Sequence, residues 1–143
     1  MSSASTVLVD SGPLYALWDR DDAHHRASVA FLERSQKRTL ITNVCVLTEV
    51  VFLLQGRGLT AAIDPFLAWA DSALTLDEGT GDDLPRIRTI IADYHDLPAD
   101  FTDASLVALA QRLECFTVAS VDHDFTVYRS ACRRRFTNVL TEH

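Results

Sequence analysis

Thr6-Val7-Leu8-Val9-Asp10 is the stretch that decides the fold class. Consecutive aliphatic side chains without polar alternation read as a short strand buried on both faces, as in the middle of a parallel sheet. The run ends in an acid, and Gly12-Pro13 then signal a turn into a helix beginning near Leu14. A counterpart lies far along the chain: 116–121 is a second apolar strand, and it also delivers an acid, Asp122. Between and after them the pattern alternates. Helices are expected over 24–36 (apolar side Val29, Phe31 and Leu32), 44–55, 59–72, 82–94 and 101–113, with strands over 39–42, 74–76 and 136–140 and a short helix after Asp122. Gly56 and Gly58 end the helix over 44–55. Alternation of this kind predicts an α/β protein, a parallel sheet covered by helices, with 1–143 forming one domain.

Composition bounds the functional classes. The chain has 143 residues, 48% hydrophobic and 23% charged, which suits a globular protein with a real core. No apolar run approaches a membrane span, and no basic segment precedes an apolar stretch near Met1, so neither a membrane protein nor a secretory leader is expected. Cys45, Cys115 and Cys132 are odd in number, widely spaced and never C-x-x-C, which fits buried thiols in a reducing compartment and a cytoplasmic protein. The net charge of −7 opposes unassisted attraction to phosphates, so nucleic-acid binding would require a bound cation or a local basic patch. Arg129, Arg133, Arg134 and Arg135 are candidates for such a patch, or else a solvated surface run. Phe66 and Trp69 read as core or as part of a dimer surface.

Four acids carry the chemistry. Asp10 and Asp122 end buried strands, where open parallel sheets place their ligand crevice, although Asp also caps helices well. Glu49 is the only charge in 44–54 and shares a helical stripe with Val46, Val50 and Leu53. A helix apolar nearly all round is mostly buried, and a buried carboxylate requires an arginine, a metal or a raised pKa. Asp103 opens the helix over 101–113, where Asp100-x-x-Asp103 also fits a capping arrangement. In Asp122-His123-Asp124 either acid could point at the site; Asp122 is favoured because it directly ends the apolar run, and Asp124 reads as a cap or an outer-shell acid. Two carboxylates about 4 Å apart repel by about 1 kcal/mol in water and about 4 kcal/mol at an effective dielectric of 20, so a cluster of four calls for a cation. Oxygen-only donors select a hard ion, Mg²⁺ or Mn²⁺, over zinc.

Val7-Leu8-Val9-Asp10-Ser11, Leu47-Thr48-Glu49-Val50, Phe101-Thr102-Asp103-Ala104-Ser105-Leu106-Val107-Ala108 and Ser120-Val121-Asp122-His123-Asp124-Phe125 together resemble the PIN-domain ribonucleases, in particular the VapC-type toxins of toxin–antitoxin pairs. The pieces occur in the family's order and span the chain almost end to end. The resemblance implies a PIN-like three-layer α/β/α fold with a central parallel sheet of about five strands. It also implies Mg²⁺- or Mn²⁺-dependent cleavage of RNA, a homodimer, and inhibition by a small antitoxin protein. It carries the acidic roles onto Asp10, Glu49, Asp103 and Asp122, with Ser11 and Ser120 in support. A housekeeping RNA-processing nuclease and a non-catalytic RNA-binding or protein-interaction module are the alternatives. A receiver domain would want paired early acids and a later lysine, whereas Lys37 is the only lysine; a dehalogenase-like phosphatase would want Asp-x-Asp, and Asp10-Ser11-Gly12 lacks it. Dinucleotide binding fails for want of a glycine fingerprint.

Overall fold

The computed structural model describes residues 5–94, 100–122 and 135–141. The described elements are β1 (Thr6–Val9), α1 (Ser11–Ala16), α2 (His25–Arg34), β2 (Thr39–Asn43), α3 (Val44–Gly56), α4 (Ile63–Ala73), β3 (Thr75–Asp77), α5 (Leu84–Asp93), α6 (Phe101–Leu113), β4 (Thr117–Ala119) and β5 (Thr137–Asn138). The strands form one sheet in the order β3-β2-β1-β4-β5, parallel throughout. Val7, Leu8 and Val9 are at most 1% exposed. Successive strand side chains point to opposite faces, so helices cover both sides of the sheet and the architecture has three layers. This is the PIN-like α/β arrangement that the sequence implies. No helix among the described residues is long and apolar enough to cross a membrane.

Several local expectations change. Gly12 and Pro13 lie inside α1, which starts at Ser11 with Asp10 as its N-cap. A first-turn proline loses nothing because its N–H would have no helical partner. Gly12 has a separate reason: a Cβ there would collide with the Val121 side chain, so only glycine lets α1 pass against the segment after β4. The stretch expected as a helix from 59 opens instead with a 3-10 turn at Thr60–Ala62. Strands β4 and β5 are shorter than the apolar runs that contain them, and the short helix expected after Asp122 lies outside the described residues.

Helix α3 is not buried all round. Val46, Val50 and Leu54 are fully buried, but Val44 is 56% and Phe52 72% exposed. Its neighbours α1, α4, α6 and β2 cover part of its circumference, which hydrophobicity alone cannot reveal. Phe66, offered above for a dimer surface, is fully buried and meets Trp18 edge-on at 6.2 Å; Trp69 packs on the same Trp18 ring at 6.4 Å.

An arginine fastens the late helices to the sheet. Arg112 of α6 forks onto Asp77, with Nη1 to Oδ1 at 3.0 Å and Nη2 to Oδ2 at 2.6 Å. Its Nε and Nη2 each reach Asp83, next to α5, at 3.0 Å. Gly79 makes room, since a Cβ there would stand 2.5 Å from Nη2. The guanidinium holds the Asp77 carboxyl below the usual carboxylate range. Replacing Arg112 by alanine strands the buried Asp83 carboxylate. The expected loss is about 2 kcal/mol, less than for a fully buried pair because the arginine keeps solvent contact. Arg112→Lys recovers only part of it, having no planar fork. Urea unfolding of the three proteins measures this, and equal midpoints would contradict the assignment.

Candidate metal centre

Strand order runs from β1 toward β2 and β3 on one side and toward β4 and β5 on the other. The crevice outside the carboxyl ends of β1 and β4 is therefore the topological switch point, the usual ligand site of such sheets. Asp10 directly follows β1, and its N–H bonds to Ala119 O at 3.0 Å, pinning it beside the end of β4. Asp122 comes three residues after β4.

Short hydroxyl links connect the acids. Asp10 is 4% exposed; its Oδ1 accepts from Ser11 N at 2.8 Å and its Oδ2 from Ser120 Oγ at 2.9 Å. Ser120 Oγ in turn accepts from Asp122 N at 2.9 Å. Ser11 Oγ donates to Glu49 Oε1 at 2.9 Å, joining β1's acid to the acid on α3. Asp10 is thus both a cap and a member of the cluster. Asp103 sits in the first turn of α6, and its N–H is accepted by the capping Asp100 carboxylate at 2.8 Å. Glu49 is half-buried rather than buried, and no ion pair to it is found among the described residues.

Asp10 and Asp103 both feel the charge of neighbouring acids. Burial pushes Asp103 up to about 8, and the charges of Asp10, Asp100, Asp122 and Glu49 push the same way. Burial also raises Asp10 to about 6; bonds from Ser11 and Ser120 oppose it, while Glu49 and Asp122 reinforce it. Hydrogen bonds thus link Asp10 with Ser11 and Ser120, Ser120 with Asp122, and Ser11 with Glu49, while Asp103 is tied to the other acids through their charge alone. Asp124, Arg129, Arg133 and Arg134 lie outside the described residues. Arg135 is exposed at the amino end of β5, away from the carboxyl-end crevice.

Three supporting residues escaped the sequence reading. Asn138 of β5 brackets Ser120, donating to its carbonyl at 2.8 Å and accepting from its N–H at 3.2 Å. Asn43 and Ser105 join α3 to α6 through a 2.9 Å bond. An amide side chain between Thr137 and Val139, in a stretch expected as a strand, was the available signal at Asn138.

An oxygen-only set of desolvated, mutually repelling carboxylates fits a hard divalent cation. Among the described residues, no three His, Cys, Asp or Glu side chains stand close enough together to form a ready metal site. Mg²⁺ keeps several of its own waters, so a loose carboxylate set remains compatible with it. The residues that would hold such an ion are Asp10 and Asp103, joined by Glu49 and Asp122.

Comparison with known proteins agrees with this architecture. A family model described as PIN domain matches residues 7–130. The sequence has no significant match among curated proteins. Among solved structures, the chain is similar to Mycobacterium tuberculosis VapC20, described as a Sarcin-Ricin loop cleaving toxin. The TM-score is 0.77 at 21% identity, covering 85% of this chain and 93% of that one. At that identity the likeness speaks for the fold.

Raised carboxyl pKa values imply a definite pH dependence without metal. In the unfolded chain Asp103 and Asp10 ionise near 3.8, but in the folded protein only near 8 and 6. Between those limits the folded state binds more protons, so stability falls as pH rises from about 4 to about 8. Metal-free protein should melt at a lower temperature at pH 8 than at pH 5, and Asp103→Asn should flatten that decline. Added Mn²⁺ should raise the melting temperature more at pH 8 than at pH 5. Melting curves with the opposite slope would refute the placement of these acids.

Proposed function

We propose that this chain, which belongs to the PIN-domain family, is a Mg²⁺- or Mn²⁺-dependent endoribonuclease and the toxin of a toxin–antitoxin pair. One observation carries the reading: buried Asp10 and partly buried Asp103 are held above the usual carboxylate range beside Glu49 and Asp122, at the switch point of a parallel sheet. A fold can host many activities, and it is the site's chemistry that distinguishes among them. The likeness to VapC20, described as a loop-cleaving toxin, supports the choice of RNA as substrate and of the toxin role.

In this reading Asp10 and Asp103 are the main metal ligands, and Glu49 and Asp122 complete the shell directly or through water. A bound divalent ion would supply positive charge to the scissile phosphate and a water acidic enough to attack it. The protein's part is to hold and aim. Ser120 holds the Asp10 carboxylate while receiving the Asp122 N–H, and Ser11 fixes Glu49 against the end of β1. The same cation would reconcile a net charge of −7 with an RNA substrate, by bridging acid to phosphate. The full proposal includes a cytoplasmic homodimer restrained by a small antitoxin protein.

The test is cleavage of purified RNA by the isolated protein. Mn²⁺ or Mg²⁺ should support cleavage and EDTA should stop it. Asp10→Asn and Asp103→Asn should each lower the rate at least about a hundredfold while remaining folded. Full activity in EDTA, or in either variant, would overturn the metal mechanism. A protein that binds RNA without ever cleaving it would instead be a binding module.

A further inference from the structure

We infer that Asn43 is a positioning residue whose bond to Ser105 sets the helix carrying Glu49 against the helix carrying Asp103. The inference rests on the proposed metal site and assigns it a further supporting residue.

Asn43 is fully buried and Ser105 is 1% exposed. Asn43 Oδ1 accepts from Val46 N at 3.1 Å, capping α3, while its Nδ2 donates to Ser105 Oγ at 2.9 Å. Ser105 Oγ then donates to Thr102 O at 2.7 Å. The polar chain therefore runs from the first turn of α3 to the first turn of α6. Capping alone does not call for asparagine, since Ser, Thr or Asp would also serve. What asparagine adds is a second, donating end, and that end is used on the other helix.

Ser105 is equally specific. Its neighbours Ala104, Leu106, Val107, Ala108, Leu109 and Ala110 are all buried and apolar, so an alanine would pack in the same stripe. A buried polar pair adds little net stability over an apolar one, but it has direction. Apolar contacts between α3 and α6 tolerate sliding; a bond of fixed length and angle does not. Asp103 lies two residues before Ser105 and Glu49 six residues after Asn43, so any slide moves one carboxylate relative to the other.

The test titrates Mn²⁺ alone into metal-free wild type, Asn43→Ser, Ser105→Ala, the double variant and Ser105→Thr, each checked for folding by circular dichroism. Asn43→Ser keeps a capping hydroxyl and is too short to reach Ser105. Each single variant should bind Mn²⁺ about tenfold more weakly, the effect expected of a partner that orients ligands. The double variant should be no weaker than either single one, because a single bond is lost. Ser105→Thr, which keeps the hydroxyl, should bind like wild type. Ser35→Ala, removing a buried hydroxyl bonded to Phe31 O in α2, serves as a control that lowers stability without changing affinity. Unchanged Mn²⁺ affinity in folded Asn43→Ser and Ser105→Ala would overturn the positioning role while leaving the metal site standing. Failure of wild type to bind Mn²⁺ would overturn both.

Discussion

Taking several carboxylates out of water and turning them toward one another is unfavourable twice, once for desolvation and once for repulsion. This chain does both around Asp10 and Asp103, and the surrounding structure is organised to withstand it. Backbone pairing of β1 with β4 fixes where Asp10 and the Ser120–Asp122 segment meet. The Ser11 N–H and the Ser120 hydroxyl then supply hydrogen bonds that favour the ionised form of Asp10, against the burial that disfavours it. Asn138 steadies the Ser120 backbone from β5. A cation is the component that would convert this arrangement into a favourable one, by relieving the repulsion between the acids.

The chain handles acids elsewhere in the opposite way. Asp77 and Asp83 share one guanidinium, and Asp77 is driven below its usual range. That cluster carries its own cation, which spans both carboxylates. On Asp103 the named neighbouring charges are all carboxylates, pushing it up to about 8. Opposite shifts in acids of the same type separate a fastening from a site more clearly than acid count does.

Much of this was legible in the residues. Helix α6 spans the interval that its apolar stripe predicts, and unalternating aliphatic runs gave β1 and located β4. Glu49 was conspicuous because a solitary charge in an apolar helix demands an explanation. What remained hidden depends on partners distant in the chain. Ser120 meets Asp10 across 110 residues and Asn43 meets Ser105 across 62, and neither pairing leaves a local pattern. The exposed side of α3 was hidden for a related reason: hydrophobicity reports how a helix could be buried, and only the neighbours decide which side is. Gly12 read as punctuation, whereas its role is to yield space to Val121.

That small gap at Gly12 has a consequence for how the chain tolerates sequence change. Position 12 carries no reactive atom, yet any side chain there must displace Val121, the residue immediately before Asp122. In a saturation mutagenesis survey it would therefore score with the acids rather than with the surface. A method that infers active-site membership from intolerance alone would count it as chemistry. The distinction between a residue that acts and a residue that makes room is steric, and it is visible only in three dimensions.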